Sequence, residues 1–257
     1  MDAIHLPVIL TYHSISEGNS PLQISPALFA QQMKWLEENT KVSPLDKVVD
    51  ALINRTRLPE RTVVLTFDDG YQDFHSFAAP VLHRLNLPAT IFLPTAFCGS
   101  TNSWPGQPAS VKPQALLSWQ QVIELSRNSF VFGAHSIHHP DLTALSTADA
   151  HHEIRDSKIE LERHIGQTID FFAYPYGLWN FPIRAAVQEH YRAACSTGAG
   201  VVEPKADPFA LPRVDVHYLR RPASFRTLFT ARFLAYVATR RFIRRMRNQP
   251  EGIYATI

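Results

Sequence analysis

Short apolar runs alternate along this chain with longer stretches in which apolar residues recur every three or four positions. The runs Pro7–Tyr12, Thr62–Phe67, Ala89–Leu93, Phe130–Ala134, Ile169–Tyr174, Arg192–Ser196 and Ala210–Val214 read as strands. Several are almost continuously apolar, as strands covered on both faces are. Pro26–Asn39 reads as a helix: Ser25 is a good N-cap, and Phe29, Met33 and Leu36 share one face. Leu45–Arg55 and Pro182–His190 carry the same period, and so does Asp73–Asn86, which Pro80 should kink. Ser118–Arg127 opens with the capping-box spacing of Ser118 and Gln121. Ser146–Ile165 opens with Ser146 and Asp149 and stops at Gly166. Strand–helix alternation of this kind predicts an α/β fold with a mainly parallel sheet. Ser100–Leu117 is polar and rich in Pro and Gly, which predicts a long loop over a site.

At 257 residues and 45% hydrophobic, the chain can bury a substantial core, and no repeat or linker divides it. The net charge of +2 hides an asymmetry. Nine of the 25 basic residues are arginines between Val216 and Pro250, a stretch without an acid, which leaves 16 basic against 23 acidic residues. Within it, Phe225, Leu228, Phe229, Phe233, Tyr236 and Ile243 form a broad apolar arc interrupted by Arg232 and Arg240. Such a helix either packs on the body with its arginines in solvent or makes a peripheral contact with an anionic membrane surface. Nucleic acid is not an expected partner, because the body is acidic and no binding motif occurs. No basic-then-apolar leader opens the chain, no run of apolar residues is long enough to span a bilayer, and Cys98 and Cys195 suit a reducing compartment. The expected location is cytoplasmic, with a peripheral position at the inner face of the membrane as a further expectation.

In α/β folds the chemistry sits where strands end. Thr62–Phe67 ends in Asp68-Asp69-Gly70, two adjacent acids that are costly to bury unless a cation neutralises them. Phe130–Ala134 ends in His135-Ser136-Ile137-His138-His139. His135 can share a metal with His139 or with His138, since both spacings put two imidazoles on one side of a turn. Two histidines and one carboxylate leave a position open for water, and the second aspartate can take that water's proton. The turn Tyr174-Pro175-Tyr176-Gly177 offers the Tyr176 backbone N–H as an oxyanion donor.

These elements together resemble the polysaccharide deacetylases of carbohydrate esterase family 4, the nodulation-type deacetylase domain. The resemblance runs from about residue 7 to 216 and is carried by Thr66–Gly70, His135–His139 and Phe172–Gly177. It implies a distorted (β/α)7 barrel over residues 1–217, with 218–257 as a basic, helical extension. It implies Asp68 as general base, Asp69, His135 and His139 (not His138) as ligands of Zn2+, Co2+ or Ni2+, and the Tyr176 N–H at the oxyanion. The substrate implied is a carbohydrate bearing an N-acetylated amino sugar. Two departures stand out. Where many members carry an arginine before the third motif, this chain has Asp170, so Arg213 is the candidate to orient Asp68. No late Leu-x-His supplies the general acid. Instead Tyr12-His13 resembles the start of the subgroup acting on poly-N-acetylglucosamine, which makes His13 the candidate. The alternatives are a deformylase or O-deacetylase with the same machinery, an inactive glycan-binding homologue, and a non-haem iron oxygenase, whose metal triad is similar.

Overall fold

The computed structural model describes residues 6–108, 111–128 and 130–246, with the side chains of 244–246 left out. The start of the chain, two residues of the Pro/Gly-rich loop and the end of the basic segment from Arg247 lie outside the described residues. The strands are β1 (Val8–Tyr12), β2 (Lys41–Val42), β3 (Thr62–Phe67), β4 (Thr90–Leu93), β5 (Val131–Ala134), β6 (Phe171–Ala173), β7 (Ala193–Ala199) and β8 (Leu211–Asp215). All pair in parallel, in the order β1-β8-β7-β6-β5-β4-β3, and β3 pairs back to β1 from Val63 opposite Val8 to Phe67 opposite Tyr12. Among the described residues seven strands therefore close a (β/α) barrel, as the resemblance implies. The two-residue β2 adds to the start of β3 and is too short to show a periodicity in sequence.

Alternate residues of each strand go to different cores. Ile9, Val64, Phe92, Phe171, Ala173, Cys195 and Leu211 gather inside the ring, with Leu45, Val48 and Val49 of α2 (Leu45–Asn54). Val8, Leu10, Val63, Leu65, Ile91 and Leu93 join the larger core under the outer helices. Burial on both faces is why these strands read as continuous apolar runs.

The outer helices follow the sequence signals. Ser25 caps α1 (Pro26–Asn39), Ser118 and Gln121 close a capping box on α4 (Trp119–Arg127), and Gly166 ends α5 (Thr147–Ile165) at φ 72°. The segment expected to kink at Pro80 instead changes pitch. A wide turn over Phe74–Ala78 hands over to α3 (Ala79–Arg84), whose first turn holds Pro80, where its missing N–H leaves no bond unmade. The last helix before the extension is α6 (Phe181–His190).

The extension packs on the barrel through α7 (Pro222–Phe225) and α8 (Ala231–Met246). Phe225, Leu228, Phe229, Phe233 and Val237 are all buried in the larger core. The apolar stripe is thus spent on the barrel and lends no support to a membrane contact, although Phe242 and Ile243 stay exposed. Phe233→Ala should cost about 3–5 kcal/mol of stability in urea unfolding, as other Phe truncations in cores do. A change within the about 0.5 kcal/mol typical of surface positions would show that α8 is not part of the folded body.

Candidate active site

Two strand ends, those of β3 and β5, bring one carboxylate and two imidazoles together. Asp69 Oδ1 lies 3.6 Å from His135 Nε2 and 3.5 Å from His139 Nε2, and the two Nε2 atoms are 3.2 Å apart. Ligands about 2.0–2.1 Å from a tetrahedral ion sit about 3.3–3.4 Å from one another, so the trio fits such an ion. His135 Nδ1 lies 2.7 Å from the Ala173 carbonyl; donating there fixes the tautomer that leaves Nε2 free to ligate. Burial holds both imidazoles below the usual histidine range and hence neutral, as ligands must be. Burial also pushes the Asp69 carboxyl up, against the pull of His13 and His135. A cation in the trio would supply the compensating charge that this buried acid lacks. One other trio is grouped among the described residues, His151, Glu189 and His190 on α5 and α6. It is partly exposed, and the charges of Arg155 and Lys158 act on His190, which disfavours a cation there.

His138 turns away from the trio. Its Nδ1 lies 2.7 Å from Glu153 Oε1, and its side chain is 56% exposed, which decides between the two spacings in favour of His139. Glu153 Oε2 also accepts from the backbone N–H of Ile137 and of His138, each at 2.9 Å. The Ser136 hydroxyl accepts from His139 N at 2.9 Å. The whole His135–His139 turn is pinned from below by α5. Glu153 went unnoticed in sequence, yet it lies on the buried stripe of α5 with Ala150, Ile154, Ser157 and Leu161. An acid on an apolar stripe was the available signal.

Asp68 is joined to Arg213 by a two-pronged ion pair, Nη1 to Oδ1 at 2.7 Å and Nη2 to Oδ2 at 2.6 Å. The guanidinium also donates to the Ser196 carbonyl and the Thr66 hydroxyl. Burial raises the Asp68 carboxyl, but Arg213, His135 and His13 together outweigh it and leave the pKa below the ordinary value, so the group stays ionised. Asp170, at the position of the missing arginine, faces Arg192 instead, at 3.5 Å.

His13 is buried at the end of β1, close enough for its charge to act on Asp68, Asp69 and His139. Asp73 holds the segment after it, accepting from Ser14 Oγ at 2.5 Å and Ile15 N at 2.9 Å. Asp215 lines the same small cavity as His13 and sits opposite Thr11 in the strand register. Neither acid stood out in sequence, because each acts across a distance that only barrel closure creates. Tyr176 adopts φ 57°, its carbonyl accepts from Thr197 Oγ1, and its ring packs 4.6 Å from that of His139. The Ser100–Leu117 loop does cover the site. Trp104 lies 4.3 Å from the His139 ring, and Asn102 Nδ2 donates to Tyr71 Oη at 3.0 Å, whose hydroxyl in turn bonds to Asp69. Cys98 and Cys195 are unpaired, and burial pushes both thiols up to about 12.

Known proteins resemble this chain in sequence and fold. The family model for polysaccharide deacetylase matches residues 55–194. The Bacillus subtilis protein named "Putative polysaccharide deacetylase YxkH" is 30% identical over 210 residues, covering 81% of this chain and 70% of that one. The poly-beta-1,6-N-acetyl-D-glucosamine N-deacetylase of Staphylococcus epidermidis is 29% identical over 199 residues, 72% of this chain and 65% of the enzyme. In structure, the Streptococcus pyogenes deacetylase PplD, solved in complex with acetate, superposes with a TM-score of 0.77 at 26% identity, over 88% of this chain and 99% of PplD. A barrel that closes on this constellation, together with these similarities, establishes that the chain belongs to the polysaccharide deacetylase family.

Proposed function

We propose that this protein removes N-acetyl groups from an amino-sugar glycan or glycan precursor by zinc-dependent hydrolysis. The observation that carries the reading is the pairing of a trio spaced for a tetrahedral ion with an aspartate held ionised beside it by Arg213. Asp69, His135 and His139 would hold the ion, and their mixed nitrogen and oxygen donors suit zinc, cobalt or nickel. When bound, the ion supplies Lewis acidity that lowers the pKa of water and polarises the acetamide carbonyl. Asp68 takes the proton of the attacking water, and Arg213 keeps its two oxygens oriented for that task. The Tyr176 backbone N–H donates to the oxyanion. His13 delivers a proton to the departing amine, so that acetate and a free amino sugar leave. Asp215 and Asp73 position His13 and the segment that follows it.

The S. epidermidis relative is named for poly-β-1,6-N-acetylglucosamine, which makes a hexosamine chain the first substrate to try. A cytoplasmic location, and with it a lipid-linked or small sugar precursor, is part of the proposal; among the described residues no helix is long and apolar enough to cross a membrane. An acetate-release screen over free, lipid-linked and polymeric amino sugars, with and without chelator, tests the reading against deformylation, O-deacetylation and binding without turnover.

Asp68→Asn should retain the metal and lose about 10²–10⁴-fold in kcat, the usual worth of a positioned base. Near-normal turnover would remove Asp68 from the mechanism. Glu153→Ala frees the turn that presents His135 and His139, so metal affinity should fall about 10–100-fold in competition with a chelating dye. Unchanged affinity would leave Glu153 with no positioning role.

A further inference from the structure

Half of the buried side-chain polar atoms without a hydrogen-bond partner lie along one wall of the candidate site. They are Trp104 Nε1, Gln107 Nε2, Tyr176 Oη and His139 Nδ1; the other four, among the described residues, belong to Gln32, Arg61, His217 and Arg220. The rings of Trp104 and Tyr176 both pack on His139, at 4.3 and 4.6 Å. Gly106 closes the gap between them, since a Cβ there would stand 3.6 Å from Tyr176 Oη. Burial pushes the Tyr176 hydroxyl up to about 12, against the pull of the Trp104 indole; the two groups are close, but neither atom has a well-directed hydrogen bond, so both can serve a ligand.

Buried donors are rarely left unmade, because the lost hydration is not replaced. A loosely held segment could explain such atoms, but the described stretches that flank Trp104 are firmly held. Gln114 N donates to Asn102 Oδ1 at 2.6 Å, Leu117 N to the Gly70 carbonyl at 2.8 Å, and Thr101 bridges to Ala115. Trp104 itself is 3% exposed and meets Phe97 edge-on at 5.5 Å. The Trp104 indole is therefore fixed before any ligand arrives.

Resting on the deacetylase reading, we propose that Trp104 and Gln107, which follow β4, form with Tyr176 a recognition subsite for a hydroxyl-bearing hexosamine unit. In it the Trp104 indole N–H and the Gln107 amide, with the Tyr176 hydroxyl, hydrogen-bond the sugar and set substrate preference.

Trp104→Phe keeps a ring against His139 and removes only the N–H. With a β-1,6-linked N-acetylglucosamine pentamer and zinc, KM should rise about 3–10-fold, the ordinary worth of one hydrogen bond, while kcat stays within about twofold. Metal affinity should not change, and the melting temperature should hold or rise, because a donor with no partner in the free protein contributes nothing to folding. Gln107→Leu should move KM in the same direction. A lower melting temperature with unchanged KM would mean that the indole N–H is satisfied within the protein, and would overturn the subsite. So would a fall in kcat alone. If wild type releases no acetate with zinc, cobalt or nickel, the deacetylase reading fails, and calorimetric titration of the pentamer still decides the subsite. Weaker binding by Trp104→Phe supports it; equal binding, or none by wild type, overturns it.

Discussion

The candidate site hangs on one buried ion pair. Arg213 is 2% exposed inside a barrel, a position that an arginine tolerates only when its donors are filled. Two go to Asp68, one to the Ser196 carbonyl and one to Thr66 Oγ1. These partners sit on β7 and at the end of β3, while Arg213 is on β8. In the ring β1 separates β8 from β3, so the guanidinium reaches past a strand to its partner. Closure of the barrel and assembly of the acid pair are thus one event. Breaking a buried pair of this kind from one side typically costs about 3–5 kcal/mol, because the remaining charge stays buried alone. The stability of the ring and the ionisation of Asp68 cannot be tuned apart.

Around that pair the loops are strained in a consistent way. Asp69, Ser136, His139 and Tyr176 all take φ between 57° and 69°, where side chains other than glycine are disfavoured. Each such residue costs on the order of 1–3 kcal/mol and persists only if its surroundings overdetermine it. The surroundings do so. Tyr71 bonds to Asp69, the Ser136 hydroxyl and Glu153 tie down the histidine turn, and Thr197 holds the Tyr176 carbonyl. Gly177 allows that last contact, since a Cβ there would lie 2.0 Å from Thr197 Oγ1. The strain aims side chains at one point that strands alone would send past one another.

What the sequence showed follows from where each signal is local. Strands buried on both faces are apolar throughout, so β1, β3 and β4 stood out, whereas β2, with two residues, carried no period. Asp68, Asp69, His135 and His139 were legible because each closes a strand within a short motif. The role of the extension was not, because an amphipathic arginine segment looks the same whether its stripe meets a lipid surface or the body of the protein, as Phe225 meets Trp35 of α1 edge-on at 5.6 Å. Packing chose between the two, and packing is a property of the partner as much as of the helix. Pro80 misled for a related reason. Its cost depends on whether it falls inside a helix or in a first turn, and the wide turn before it settled that.

The positions of Asp170 and Arg213 show how Asp68 is served. At residue 170 the chain is at the start of β6, and its acid faces Arg192 in a partly exposed pair. The cation that Asp68 needs comes from two strands further along the ring, on β8. Asp68 responds to a positive charge within hydrogen-bond reach, whichever strand supplies it. A barrel offers that freedom because all its strands point their ends at one mouth. A residue that acts through its own loop must sit in that loop, whereas one that acts through charge, as Arg213 does, can reach Asp68 from another strand. The same logic explains why Glu153, Asp73 and Asp215 escaped the sequence reading. Each reaches its partner across the fold, and nothing in its immediate neighbours along the chain records where that partner lies.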